Sequence, residues 1–282
     1  MKNICSILAI LALAVSCEEI APTINPQMEV DTNICDKTVD VNGQERAVLM
    51  EEFTGVQCVN CPQGSETLQL LLDQHGDRLV GISIHAGEFA PPYPESTVDF
   101  RNPAADAIFD LLQVPTLFPN SAINRGNHVG DFLVVPGDGQ WAGIVDTELE
   151  KPLVMRLGLA HEYNADTREL EVCAKMYPQE DFTEDEILLT ILIIENDIVD
   201  VQKTPSGKVP DYVHKHALRG AITNPTGNLI TESITAGAEI SNGFAFTLPD
   251  DWVAENCEIV AFVGKGGQDK EILQAVQVHL VE

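Results

Sequence analysis

The stretch EEFTGVQCVNCP, residues 51–62, decides the fold of this chain. Its two cysteines, Cys58 and Cys61, stand between an apolar strand candidate at 47–53 and a helix candidate at 61–75, which a glycine follows. At a helix start, the backbone amides and the helix dipole favour a thiolate, so the pKa of the first cysteine falls below its free value of about 8.5. The stretch therefore predicts a redox pair in which Cys58 attacks a partner and Cys61 resolves the mixed disulfide.

The segments after this stretch predict an α/β unit. A second apolar run at 79–84 follows the helix candidate, and two apolar strands joined by a helix form a β-α-β unit with a parallel sheet covered on both faces. A proline-rich acidic loop comes next. The further elements predicted up to residue 150 are helices at 103–112 and 139–149 and strands at 121–125 and 132–135.

The second half of the chain has a different rhythm. Residues 170–176 alternate between apolar and polar side chains, as a half-buried strand does. Seven or eight strands within 151–282 predict an antiparallel β-sandwich, so the whole chain reads as an α/β domain at 41–150 followed by an all-β domain. The other predicted strands are 154–161, 186–194, 211–219, 228–235, 243–248, 257–264 and 271–280.

The N-terminus predicts export. A lysine, a short apolar run and small residues precede Cys17, which is typical of a signal peptide at 1–16 with a lipidation box. A diacylglycerol on Cys17 would hold the protein to a membrane, and an ordinary cleaved signal is the alternative. Residues 17–40 carry prolines and acids without helical periodicity, so we expect a poorly ordered tether.

Composition excludes several classes of function. The net charge is −28, from 44 acidic and 16 basic residues, which argues against binding nucleic acid. No phosphate-binding glycine loop or serine-nucleophile motif occurs, and the predicted chemistry needs no cofactor. In so acidic a chain, we expect Arg125 and Arg219 to pair with carboxylates.

The remaining cysteines leave several pairings open. The chain has seven, of which Cys5 would leave with the signal peptide. Disulfides persist in an exported protein, but sequence alone does not give their connectivity. A bridge between Cys173 and Cys257 is one prediction, buried free thiols are the other, and Cys35 has no assigned partner.

Two pairs of side chains admit more than one interpretation. Cys58 and Cys61 could bind zinc, although only His75 lies at a plausible distance, or they could form a purely structural disulfide. His214 and His216 would lie on one face of a predicted strand, where packing is the ordinary role and metal binding the alternative.

The segment 52–61 resembles the thioredoxin active site, in which an acid lies six residues before the nucleophilic cysteine. This resemblance implies that Glu52 is a buried acid that exchanges a proton with the resolving thiol; a solvated charge at a strand end is the alternative. It also implies a cis-proline beside the cysteines. Pro119 is preferred over Pro115, because a strand candidate follows Pro119 directly.

Longer segments resemble the Omp28-related outer membrane proteins. That resemblance implies a lipid-anchored outer membrane protein, facing the periplasm or the cell surface, with a thioredoxin-like domain followed by an immunoglobulin-like sandwich. We expect exchange with envelope proteins that carry thiols or disulfides, and an adhesion or receptor module is the alternative. The segments are EEFTGVQCVNCP at 51–62, FPNSAINR at 118–125, YVHKHALRG at 212–220, and IVAFVG at 259–264 with EILQAVQV at 271–278.

Overall fold

A computed structural model describes residues 33–183 and 186–281. Within those residues the chain is mostly β, with a few helices and with both mixed and antiparallel sheets. The helices are α1 (Cys61–His75), α2 (Pro103–Leu111) and α3 (Trp141–Leu149). The strands of the first half are β1 (Val48–Thr54), β2 (Leu79–His85), β3 (Asn120–Ile123) and β4 (Val135–Pro136). Those of the second half are β5 (Met155–Asn164), β6 (Glu169–Pro178), β7 (Ile187–Glu195), β8 (Ile198–Thr204), β9 (Gly207–His214), β10 (Ala217–Ala221), β11 (Asn228–Leu229), β12 (Ile240–Thr247), β13 (Cys257–Lys265) and β14 (Ile272–His279).

The predicted β-α-β unit is confirmed. Strands β1 and β2 pair in parallel, with Val48 opposite Leu79, and α1 connects them. Helix α1 has the predicted bounds, because Pro62 suits the first helical turn and Gly76 ends the helix with a φ of 55°. Every residue of β1 and β2 is buried, as expected for strands covered on both faces.

One sheet runs through both halves of the chain. Its strand order is β14-β13-β7-β10-β2-β1-β3-β4, with β11 paired to β7. Strand β10 pairs in parallel with β2 at Ala217 and Ser83, and the Ser83 amide donates to the His216 carbonyl at 2.8 Å. The predicted domain boundary at residue 150 falls in the loop between α3 and β5 and stays a prediction.

A second layer covers the part of this sheet that β7 and β13 form. Strands β12, β6 and β5 form an antiparallel sheet in that order, and their apolar faces pack against β7 and β13. Met155 and Phe244 of this layer are fully buried. Two further apolar clusters line the opposite faces of β1, β2 and β3, one under α2 and one under α1 and α3.

Two predicted strands of the second half need correction, and one observed strand has no counterpart in the prediction. The predicted strand 211–219 is broken: β9 ends at His214, β10 begins at Ala217, and His216 between them has a φ of 54°. The predicted strand 228–235 is reduced to two residues. The sequence pattern does not predict strand β8, which forms a hairpin with β9, because the polar Asp200 and Gln202 occupy buried positions in it.

The N-terminal predictions need correction where the structure describes them. Cys35 forms a disulfide with Cys173 of β6, and a 3-10 turn at Asn33–Asp36 packs against this strand, so residues 33–40 are not a poorly ordered tether. The predicted Cys173–Cys257 bridge is therefore wrong, and Cys257 is a buried free thiol. The predicted signal peptide 1–16 and lipidation site Cys17 lie outside the described residues.

Candidate functional site

The centre of the candidate site is the disulfide between Cys58 and Cys61. Cys61 is the first residue of α1, and Cys58 lies in the loop that joins β1 to this helix, as the sequence predicts. Both residues are buried, at 3% and 1% exposure. At the start of a helix, the helix dipole favours a thiolate.

Two segments distant in sequence hold the loop that carries Cys58. On one side, the Gln57 amide donates to the Phe89 carbonyl at 2.9 Å. On the other, the Gln202 side chain of β8 donates to the carbonyls of Cys58 and Gly55, at 3.0 and 3.3 Å. The sequence does not predict this role of Gln202, because a lysine follows it and no local pattern indicates a buried amide.

Glu52 is fully buried on β1, so the alternative of a solvated strand-end charge is wrong. Its carboxylate accepts hydrogen bonds from Ser65 Oγ of α1 at 3.0 Å and from Ser83 Oγ of β2 at 2.9 Å. Burial raises the pKa of Glu52 to about 7, and the bonds from Ser83 and Ser65 offset part of this effect. At neutral pH this group can therefore both accept and donate a proton.

The neighbouring acid is held differently. Glu51 points to the opposite face of β1, where Arg125 binds both of its carboxylate oxygens at 2.7 and 2.8 Å. The predicted pairing of Arg125 is thereby confirmed, as is that of Arg219, which lies 3.3 Å from Glu195. Two adjacent buried acids thus have distinct environments: Glu51 is paired with a guanidinium group, and Glu52 accepts hydrogen bonds from two serine hydroxyl groups.

Pro119 has the predicted cis peptide bond, and Pro115 does not. It lies against α1, because a Cβ atom on Gly64 would come within 2.7 Å of Pro119 Cβ and 3.0 Å of Glu52 Oε1. Gly64 follows Cys61 by one helical turn. The structure thus brings Pro119, Glu52 and the start of α1 together, and the absence of a side chain at Gly64 permits this packing.

The two histidines of the sequence HKH have different surroundings. His214 is buried against Phe100 and His85, with ring centroids 4.5 and 5.5 Å away, and burial lowers its pKa to about 4. His216 hydrogen-bonds to Gln69. Across residues 33–183 and 186–281, no group of three or more His, Cys, Asp or Glu side chains is placed to hold a metal ion.

Glu52 gives a prediction for the pH dependence of stability. Its pKa is about 7 in the folded state against 4.5 for the ordinary group, so the folded chain retains a proton that the unfolded chain loses in this window. The stability contributed by Glu52 therefore falls as pH rises from about 4.5 to 7, by roughly 1.4 kcal/mol per pH unit and roughly 3 kcal/mol in all. We expect E52Q to equal the wild type near pH 4.5 and to exceed it in free energy of unfolding at pH 8. Urea denaturation of both proteins across this range measures the difference. If the free energy of unfolding changed with pH in the same way in both proteins, Glu52 would not be a buried carboxyl that retains its proton.

No helix in the described part of the chain is long and apolar enough to cross a membrane.

Comparison with solved structures finds similar folds at low sequence identity. HBP35 of Porphyromonas gingivalis aligns with a TM-score of 0.68 and 17% identity, over 83% of this chain and 75% of that chain. A protein from Agrobacterium tumefaciens aligns with a TM-score of 0.50 and 16% identity, over 85% of this chain and 97% of that one. A domain of the outer membrane lipoprotein Omp28 from Porphyromonas gingivalis is 23% identical over 44% of this chain and 86% of its own length, with a TM-score of 0.29. No curated protein matches the chain.

The family comparison covers more than half of the sequence. The model of outer membrane protein Omp28 matches residues 106–282, which begin within α2 and run to the C-terminus. Cys58 and Cys61 precede this range, so the match carries no information about the disulfide. On the match over residues 106–282, the chain belongs to the Omp28 family of outer membrane proteins.

Proposed function

We propose that this chain is a thiol–disulfide exchange protein of the cell envelope, held to the outer membrane by a lipid on Cys17. The observation that carries the exchange function is the Cys58–Cys61 disulfide at the start of α1, with the buried acid Glu52 behind the same helix. Family membership supports a location at the outer membrane, and the sequence before Cys17 supports the lipidation of that cysteine. The proposed partners are envelope proteins that carry thiols or disulfides.

We further propose that the first half is thioredoxin-like and that the second is an immunoglobulin-like sandwich. The β1-α1-β2 unit, with β3 antiparallel to β1 directly after cis-Pro119, supports the first assignment. The antiparallel layer of β5, β6 and β12 packed on β7 and β13 supports the second.

The proposed reaction is a two-electron exchange with a partner dithiol. A partner thiolate attacks Cys58 Sγ, the Cys58–Cys61 bond breaks, and Cys61 leaves as a thiolate. The protonated Glu52 carboxyl returns a proton to Cys61. The second partner thiolate then attacks the mixed disulfide, which releases Cys58 and leaves the partner oxidised and this chain reduced. In the reverse direction Glu52 accepts the Cys61 proton, and a pKa of about 7 suits both steps.

The burial of both cysteines favours a second candidate function. At 3% and 1% exposure, Cys58 and Cys61 are less accessible than a reactive pair ordinarily is. A disulfide that only fixes the loop between β1 and α1 would suit a scaffold for binding, such as an adhesion or receptor module. The reduction potential of the pair distinguishes the two functions.

The test uses the second disulfide of the same chain as its reference. The protein is equilibrated in thiol buffers of graded potential, free thiols are alkylated, and each cysteine is quantified by mass spectrometry. We expect Cys58–Cys61 to be half reduced between about −270 and −120 mV, the range of exchange proteins, and Cys35–Cys173 to stay oxidised to below about −300 mV. If both pairs stay oxidised to below that potential, the exchange function is wrong and the scaffold function stands.

Activity is measured separately, as reduction of insulin disulfides by the chain in the presence of a reductant. C58S should abolish this activity, because the attacking sulfur is lost. C257S is the matched control: burial raises the pKa of this thiol to about 12, so it is inert, and its removal should leave the rate unchanged.

A further inference from the structure

The loop that carries Cys58 lies against a hairpin from the second half of the chain. Strands β8 and β9 form this hairpin, and β8 contacts residues 55–58. The Lys203 amide donates to the Val56 carbonyl at 2.8 Å, and Ile198 at the start of β8 belongs to the same buried apolar cluster as Val56. The hairpin therefore touches the loop through both backbone and side chains.

Gln202 of β8 links this hairpin to the cysteine itself. Its buried amide nitrogen donates to the Cys58 carbonyl at 3.0 Å, to the Gly55 carbonyl at 3.3 Å and to the Lys203 carbonyl at 2.9 Å. The Cys58 amide also donates to the Gly55 carbonyl, at 2.9 Å, so Gln202 binds both ends of one turn. A buried amide that lost these carbonyls would be left unpaired, which is costly, and the side chain is thereby kept in this position.

The hairpin is itself fixed at a second point. Asp200, which is also buried on β8, accepts hydrogen bonds from the amides of Thr97 and Val98 at 2.8 and 2.6 Å. The Thr97 hydroxyl donates to the same carboxylate oxygen at 3.1 Å. Gln202 therefore extends from a strand that is anchored elsewhere, and it can hold the cysteine loop in place.

The loop is also held by the segment that contains Phe89. The Gln57 amide donates to the Phe89 carbonyl at 2.9 Å, and the Gln57 side chain donates to the Pro91 carbonyl at 2.7 Å. Gly55 packs so closely on this segment that an added Cβ would overlap the Phe89 carbonyl group. Two separate segments thus restrain the turn that carries Cys58.

We infer that Gln202 is a positioning residue of the redox pair, which keeps Cys58 beside Cys61 when the bond between them is broken. Reduction breaks only the S–S bond and adds two electrons and two protons, which a thiol reductant supplies as it forms its own disulfide. In the oxidised chain the disulfide itself restrains the loop, so the loss of Gln202 would free the reduced chain more than the oxidised one. A held loop loses less conformational entropy when the bond re-forms. Gln202 therefore favours the oxidised pair and lowers its reduction potential.

The test compares the reduction potential of Cys58–Cys61 in the wild type and in Q202M, measured on the full chain in graded dithiothreitol buffers. Methionine has a side chain of similar length but donates no hydrogen bond. We expect the equilibrium constant for reduction to rise at least about tenfold in Q202M, which is a shift of about 30 mV to a less negative potential. An unchanged potential, or a shift to a more negative one, would overturn the inference.

Q274M is the matched control. Gln274 of β14 is also buried, accepts from the Ala47 amide at 2.8 Å and donates to the Glu45 carbonyl at 3.0 Å, so it likewise joins the second half to a loop of the first. Q274M should lower the free energy of unfolding in urea, as Q202M does, and leave the equilibrium constant for reduction near that of the wild type. An equal shift of potential in both variants would assign the effect to lost stability and overturn the inference.

A second variant keeps the test valid if Q202M does not fold. Asparagine in Q202N retains the amide but is one methylene shorter, so its nitrogen falls short of the Cys58 carbonyl and the potential should shift in the same direction. A wild-type potential in Q202N would then overturn the inference. The inference deepens the proposed function, but its failure is distinguishable. If the wild-type pair resists reduction as Cys35–Cys173 does, the exchange function is wrong, while the difference between each variant and the wild type still decides the role of Gln202.

Discussion

Replacing Arg125 by methionine is expected to lower the free energy of unfolding by about 3–5 kcal/mol, the loss typical of a buried ion pair that loses one partner. Arg125 is 5% exposed and Glu51 is fully buried, and two hydrogen bonds of 2.7 and 2.8 Å join them. In R125M the Glu51 carboxylate would stay in the interior without its cation. Urea denaturation at pH 7 measures the loss.

Two further variants separate burial from charge. Arg101 and Asp99 form an ion pair at 46% and 44% side-chain exposure, so R101M should cost at most about 1 kcal/mol. The double variant E51Q/R125M removes both buried charges and should recover much of the stability lost in R125M. Equal losses in R125M and R101M would contradict a structural role for the buried pair.

The fragment 41–150, expressed alone, is expected not to fold cooperatively. In the whole chain β2 pairs with β10, and Val80 and Ile82 of β2 belong to one apolar cluster with Leu218, Val260 and Phe262 of the second half. Cutting the chain at residue 150 would expose this cluster and an unpaired strand edge, which favours aggregation over folding.

Tryptophan fluorescence provides the measurement. Trp141, fully buried in the whole chain, is the only tryptophan of the fragment, and its emission should resemble that of the unfolded chain at all urea concentrations. Residues 33–282 serve as the control and should give a cooperative transition. A cooperative transition in the fragment as well would establish 41–150 as an independent domain and contradict the expectation.

The parts of the site that the sequence predicts are those with local signals. The bounds of α1 follow from a proline in its first turn and a glycine after its last residue, and the cis-proline from a strand that directly follows Pro119. The environment of Glu52 has no such signal. Its partners Ser65 and Ser83 lie 13 and 31 residues away. Such contacts depend on how the strands are ordered in the sheet, which local patterns do not specify.

The second half shows the same limit. Alternation and apolar runs predict most of its strands, but not β8, because Asp200 and Gln202 face inward to bind loops of the first half. Asp200 accepts from the Val98 amide, and Gln202 binds the Cys58 carbonyl. A polar side chain in a strand signals exposure only where no distant backbone group needs a partner. The disulfide of Cys35, 138 residues from Cys173, is likewise invisible to local patterns.

That disulfide determines how mechanical tension would travel through the molecule. If Cys17 is fixed to a membrane, the 18 residue steps to Cys35 allow a reach of at most about 65 Å. Tension arriving at Cys35 crosses directly to Cys173 on β6, the central strand of its sheet, and bypasses every residue between them. Cys58, Cys61 and Glu52 all lie within this covalent loop, so a force applied between Cys17 and a point beyond Cys173 does not load the site. Reduction of Cys35–Cys173 would instead direct the same force through β1, the strand that carries Glu52.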